Sequence, residues 1–286
     1  MTPNEFNLWL TQHDRHPLVM GVLNVTPDSF SDGGRFAAVE SAVAQAQKLA
    51  TDGAELIDIG GESTRPGSQR VDPQEQIRRI VPVLEAASLR LPVVWSVDTC
   101  SSQVASAAIG AGASIINDIS AGRDDPAILR LAADRQLPII LMHMQGEPQT
   151  MQVNPHYSDV IQEVKSFFAE RIKAANSAGV ATDRILLDPG IGFGKNINHN
   201  LTLISQMKEF TGLGRPLVIG TSRKGFIGTI AGEPQPNQRL FGTAATVAWS
   251  IANGADIVRV HDVEPMLKVV RVIRAIQKGV AEAPPK

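Results

Sequence analysis

The chain has 286 residues, 43% of them hydrophobic and 20% charged, and a formal net charge of −2. This is the composition of a globular protein with room for one barrel-sized domain, and the near-zero charge excludes a general attraction to nucleic acid or an anionic membrane surface. Cys100 is the only cysteine, which excludes an internal disulfide framework and a cysteine-rich zinc site and points to a reducing, cytoplasmic compartment.

Residues 1–17, MTPNEFNLWLTQHDRHP, lack the basic start and apolar core of an export signal and read as an N-terminal extension. No stretch approaches the ~20 apolar residues of a membrane-spanning helix. From there, eight short apolar runs lie at 18–25, 54–59, 93–97, 114–117, 138–143, 184–188, 216–220 and 256–260. Segments with apolar residues at three- and four-residue spacing follow them, at 36–51, 73–89, 102–110, 126–135, 159–178, 200–210, 237–253 and 264–277. Helix ends carry glycine at Gly53, Gly112, Gly179 and Gly254, as one repeated unit would. Residues 280–286 read as a frayed tail. Strand and helix in strict alternation imply a parallel sheet. The first turn, Asn24-Val25-Thr26-Pro27-Asp28, lacks the glycine fingerprint of an open dinucleotide-binding sheet. The expected fold is therefore α/β, a (β/α)8 TIM barrel in a single domain over residues 1–286.

Barrel chemistry sits at the C-terminal ends of the strands. Those ends read Asn24, Asp58, Asp98, Asn117, His143, Asp188, Lys224 just past the seventh strand, and Arg259 with His261. One strand-end Asp or Asn is as often a cap or turn former, but a polar group closing nearly every strand is not explained that way. Alternation along a strand points Arg259 and His261 to the same side. The loop after the second strand packs Gly60, Gly61, Glu62, Ser63, Thr64, Arg65, Pro66 and Gly67 into one turn, a composition suited to a mobile loop holding an oxyanion and a flat ring.

Together these segments resemble one family. MGVLNVTPDSFSDGG (20–34), GAELIDIGGESTRPG (53–67), SVDT (96–99), INDIS (116–120), LMHMQG (141–146), LLDPGIGFGK (186–195), GTSRKGFIG (220–228) and RVHDV (259–263) are similar, in order, to the motifs of the dihydropteroate synthases. DPG or VDT alone is weak, whereas NVTPDSFSDGG and GGESTRPG each fix many residues at set spacing. The resemblance implies a pterin-binding barrel, usually a homodimer. It also implies a reaction joining 6-hydroxymethyl-7,8-dihydropterin pyrophosphate to 4-aminobenzoate with release of pyrophosphate, and inhibition by sulfonamides as mimics of the aryl amine.

The resemblance also distributes roles. Asp98, Asn117, Met142, Asp188 and Lys224 would surround the pterin, whose N–H-rich edge needs buried acceptors and whose carbonyl needs a cationic donor. Asn24, Thr64, Arg259 and His261 would hold the diphosphate, where an Arg fork and a protonated imidazole suit an anion gaining charge. Mg2+ is implied as cofactor, with Asn24 as its direct ligand. Phe30, Thr64, Arg65, Pro66, Phe193, Ser222 and Lys224 would line the 4-aminobenzoate site, and loops rich in glycine would close over it. Asp32 would stand near the reacting carbon; with Lys224, Arg259 and His261 it makes up the expected catalytic set. No Ser–His or Cys–His nucleophile pairing is apparent, which fits a dissociative substitution driven by leaving-group stabilisation.

Two departures from the family pattern are Ile191, where relatives often carry an aromatic residue, and Cys100-Ser101-Ser102 after VDT. Two other readings stay open: a pterin-barrel methyltransferase passing a methyl group from a folate to a corrinoid, which has no use for a diphosphate site, and a catalytically silent pterin-binding homologue.

Overall fold

The computed structural model describes residues 1–26, 34–65 and 67–280, with the side chains of all these but 34–37. After helix α1 (Pro3–Leu10) the chain runs β1 (Leu18–Asn24), α2 (Gly34–Thr51), β2 (Leu56–Gly60), α3 (Pro73–Ala87), β3 (Val94–Asp98), α4 (Ser102–Gly110) and β4 (Ile115–Asp118). It continues with α5 (Ala127–Asp134), β5 (Ile139–Met142), α6 (Val160–Ser177), β6 (Ile185–Asp188), α7 (Ile197–Ser205) and β7 (Val218–Ile219). It ends with α8 (Gly225–Ala231), α9 (Leu240–Ala252), β8 (Ile257–Val260) and α10 (Val263–Lys278).

All eight strands pair in parallel in the order β6-β5-β4-β3-β2-β1-β8-β7. A bridge between Leu187 and Leu217 joins the two edges, so the sheet closes into the expected (β/α)8 barrel. The strands are short and the closure depends on one bridge beside the two-residue β7.

Alternation along the strands separates two apolar zones. Residues facing outward, among them Val19, Ile57, Trp95, Ile116, Leu141, Leu187, Ile219 and Val258, are buried under the helices. Residues facing inward at the lower end, including Leu18, Met20, Leu56, Val94, Ile140, Leu186 and Ile257, form a separate core inside the barrel. Higher on the same inward faces the side chains become polar: Asp58 follows Leu56, Asp98 follows Ser96, Asn117 follows Ile115, Asp188 follows Leu186 and Arg259 follows Ile257. The two-residue period therefore carries apolar packing at the bottom into a polar ring at the top.

Within 1–17, where sequence patterning suggests only an extension, the structure has helix α1. Thr2 caps it in a capping box with Glu5, and Pro3 occupies its first turn. Phe6, Trp9 and Leu10 join the inner core and close the barrel bottom; Trp9 Nε1 donates to the His16 carbonyl at 2.9 Å. The expected helix at 200–210 divides into α7 and a 3-10 turn at Met207–Leu213. Helix α8 was not expected either: seven residues with two glycines give little periodic signal.

Candidate active site

A cavity of about 490 Å³ opens at the C-terminal end of the barrel. Asn24, Thr64, Arg65, Asp98, Asn117, Met142, Asp188, Phe193, Ser222, Lys224, Arg259 and His261 all line it. Residues drawn from most of the strand ends thus meet at one rim, which is how the fold converts distant sequence positions into neighbours. The expected site residues Phe30, Asp32 and Pro66 lie outside the described residues.

The floor is an ionic network. Arg259 donates from Nε to Asp58 Oδ2 at 2.7 Å and from Nη2 to Asp98 Oδ2 at 2.9 Å. Asp58 Oδ2 also accepts from Asn117 Nδ2 at 2.9 Å, which leaves the Asn117 carbonyl oxygen for the cavity. Asp58 has no exposed surface. Asp98 Oδ1 is buried with no hydrogen-bond partner among the described residues, so the cavity wall holds an unused acceptor. Burial, and secondly the neighbouring Asp58, push the Asp98 carboxyl up to about 7, against the pull of Arg259.

Across the cavity Asp188 Oδ1 accepts from the Gly190 N–H at 2.7 Å, and burial raises its pKa despite that bond. Lys224 Nζ stands 4.2 Å from the centre of the Phe193 ring, in cation–π range. Burial pushes Lys224 down to about 8, with Asp188 partly restoring its charge. Behind this wall a second buried lysine, Lys195, contacts His143 Nδ1 at 2.9 Å; burial lowers the lysine to about 7 and the imidazole to about 2.

At the rim His261 Nδ1 lies 3.1 Å from Ser222 Oγ, which also accepts the His261 backbone N–H at 3.2 Å. Burial, and then Arg259 and Arg223, push the His261 imidazole down to about 3. Burial first, and then the two facing guanidiniums, therefore disfavour the protonated imidazole expected at this position. Arg223 has a left-handed backbone (φ 60°) and a two-pronged ion pair with Asp262, which ties the loop carrying Ser222 and Lys224 to the one carrying His261. No side chain caps α8, which begins at Gly225 on the cavity wall.

Residues 20–261 match the pterin binding enzyme family. A dihydropteroate synthase of Synechocystis is 48% identical over 258 residues, covering 90% of this chain and 89% of that protein. The chain is also similar to two solved structures. The Yersinia pestis dihydropteroate synthase in complex with a sulfonamide drug has TM-score 0.87 and 44% identity, covering 92% of this chain and 95% of that one. The Xanthomonas albilineans dihydropteroate synthase with 4-aminobenzoic acid has TM-score 0.87 and 44% identity, covering 94% of each chain. The chain belongs to the dihydropteroate synthase family.

The two departures from the family pattern both pack at or near the site. Ile191 is buried in the core around the barrel and also faces the cavity. Cys100 packs against the cluster of Ile119, Met142, Met144 and Met151 beside the end of β3, and burial holds its thiol well above the usual range, which disfavours the reactive thiolate. In the sequence Asp58 stands out only as a strand end, yet it shares the inward face of Leu56, where a lone carboxylate demands a cation. Lys195 and the Arg223–Asp262 pair gave no comparable signal, since each depends on loops meeting in space.

Proposed function

We propose that the chain is the transferase that condenses 6-hydroxymethyl-7,8-dihydropterin pyrophosphate with 4-aminobenzoate, yielding 7,8-dihydropteroate and pyrophosphate for folate biosynthesis. The observation that carries this is the pairing, in one cavity, of buried acceptors with a lysine and an arginine: Asp98, with its unused Oδ1, Asn117 and Asp188 beside Lys224 and Arg259. The acceptors suit the amino and ring N–H edge of the pterin, Lys224 suits its carbonyl and N5, and Met142 lines the slot. A charged hydrogen bond of this kind contributes about 1.5–3 kcal/mol.

The diphosphate lies in this reading at Asn24, Thr64, Arg259 and His261. Arg259 uses two of its N–H groups on Asp58 and Asp98, so it offers the anion its remaining donors from a fixed plane. An arriving diphosphate raises the His261 pKa and draws a proton onto it, which counters charge on the departing oxygen. Among the described residues no cluster of three His, Cys, Asp or Glu forms a metal cage. Asn24, whose amide oxygen is a hard donor, lines the cavity and would hold Mg2+ there. When bound, that ion supplies charge neutralisation at the diphosphate.

The C–O bond to the methylene breaks first and its electron pair leaves with the diphosphate. The cationic carbon shares its charge with the pterin ring. The amine lone pair then forms the C–N bond and its proton passes to solvent. In this reading the aryl amine lies against Phe193, Lys224, Thr64 and Arg65, with its carboxylate at Ser222 and nearby backbone N–H groups. Sulfonamides compete there. The methylene becomes cationic before the amine adds, so deuterium at that carbon should give a clearly normal secondary isotope effect; an effect near unity contradicts the dissociative order.

The working form in this reading is a cytoplasmic homodimer. Large exposed apolar residues concentrate on α7 (Leu201), α9 (Phe241, Trp249) and α10 (Val272, Ile276), as a face covered by a second copy would require. Light scattering should give twice the chain mass; a monomer at micromolar concentration contradicts it. The reaction itself is tested by mixing both substrates with protein and Mg2+. Pyrophosphate and dihydropteroate should appear in equal amounts and only when 4-aminobenzoate is present, whereas no turnover, or methyl transfer from a folate, refutes the reading.

A further inference from the structure

The buried pair Lys195 and His143 takes no part in the reaction as derived, yet it sits directly behind the aryl wall. We propose that Lys195 is a positioning residue for the aryl amine: its amine pins the β6–α7 loop to the β5–α6 loop so that the Phe193 ring stands beneath the Lys224 ammonium. This rests on reading the cavity as the aryl amine site.

Lys195 is 2% exposed, and its Nζ has three acceptors: His143 Nδ1 at 2.9 Å, the Phe193 carbonyl at 3.0 Å and the His143 carbonyl at 3.4 Å. An ammonium has three N–H groups, so the count closes with His143 neutral and its proton on Nε2. Burying a lysine with no carboxylate in contact is costly, and a fold that accepts this cost gains the geometry the three bonds impose. The two loops are already pressed together. A Cβ at Gly190 would overlap the His143 carbonyl oxygen, and one at Gly194 would overlap that of Gln145. Tyr157 Oη donates to the Gly194 carbonyl at 2.8 Å and Gln152 Nε2 to that of Gly192 at 2.6 Å. The Lys195 amine ties the two loops at Phe193: it holds the Phe193 carbonyl within its own loop while its other contacts cross to the ring and carbonyl of His143. Phe193 in turn sets the 4.2 Å stack with Lys224.

The test compares Lys195→Met, His143→Leu and His143→Asn, the last keeping an acceptor near the position of Nδ1. Lys195→Met and His143→Leu should raise the KM for 4-aminobenzoate about tenfold while kcat stays within about threefold and the Kd of the pterin diphosphate is unchanged. His143→Asn should restore the wild-type KM, and the double variant Lys195→Met/His143→Leu should be no worse than either single one. A soluble Lys195→Met protein with unchanged KM, or His143→Asn as impaired as His143→Leu, overturns the proposal; should Lys195→Met fail to fold, the two histidine variants decide it. If the wild type releases no pyrophosphate, the functional reading has failed separately. The crystal structure of Lys195→Met, or of His143→Leu if the former does not fold, then decides positioning: a Phe193 ring displaced from Lys224 supports it, and a ring in place overturns it.

Discussion

Asp58 shows why residues that never face the ligand matter here. Its carboxylate, with no exposed surface, accepts from both Asn117 and Arg259 and so orients an acceptor and a cation at once. Asp58→Asn leaves Arg259 half-paired in the barrel. It should cost about 3 kcal/mol of stability, read by urea unfolding, and weaken pterin binding at least about tenfold, read by calorimetry. Wild-type affinity in a folded Asp58→Asn protein would remove Asp58 from this role. Asp98 and Lys224 give the site its pH dependence. The Asp98 carboxyl is raised from 3.8 to about 7, so the folded protein holds a proton that the unfolded chain has lost. Its contribution to stability therefore falls as pH rises from about 4 to 7 and is constant above. Pterin affinity moves the other way on this limb, because the acceptor must be ionised. Lys224, lowered from 10.5 to about 8, loses its charge on the alkaline side. Affinity should peak between these values; Asp98→Asn should shift the acid limb, part of which belongs to Asp188 with its own raised pKa, and Lys224→Met should remove the alkaline one, whereas a flat wild-type profile from pH 6 to 9 contradicts both assignments.

Among the elements, α1 carries a structural load with no part in the chemistry. Phe6 and Trp9 stack at 5.4 Å and close the inner core from below, far from the cavity at the opposite rim. Trp9→Ala should therefore destabilise the fold by about 3–5 kcal/mol in thermal or denaturant unfolding, with substrate KM values unchanged in the folded fraction. An equal stability would mean that the helix merely rests against the barrel. The helix was readable in principle, since Thr2-Pro3-Asn4-Glu5 is a capping-box pattern ahead of Phe6, Trp9 and Leu10. Eight residues were too few for periodicity to reveal it. The strands were legible to within about two residues because a parallel barrel strand buries both faces and reads as a plain apolar run. Helix α8 was not, because Gly225 and Gly228 weaken any helical pattern and its start is fixed by the loop before it.

At the scale of the whole molecule, the ring of polar strand ends was legible because barrel topology gathers those ends at one rim whatever lies between them. The bonds within the ring were not. Arg259 and Asp58 are 201 positions apart, and nothing local in either segment names the other. The lowered pKa of His261 follows from its burial and then from Arg259 and Arg223 facing it, again a fact of packing. Strand alternation could give the direction in which a side chain points, but not what already waits there. In the proposed reading one rim cavity holds the heterocycle on its acids and the diphosphate on its cations. A co-crystal structure with the pterin diphosphate tests it most directly. The pterin edge should lie within hydrogen-bond distance of Asp98, Asn117 and Asp188, with its diphosphate at Asn24, Thr64, Arg259 and His261. A pterin bound with its N–H edge away from those acids, or a diphosphate out of reach of Arg259 and His261, would contradict it.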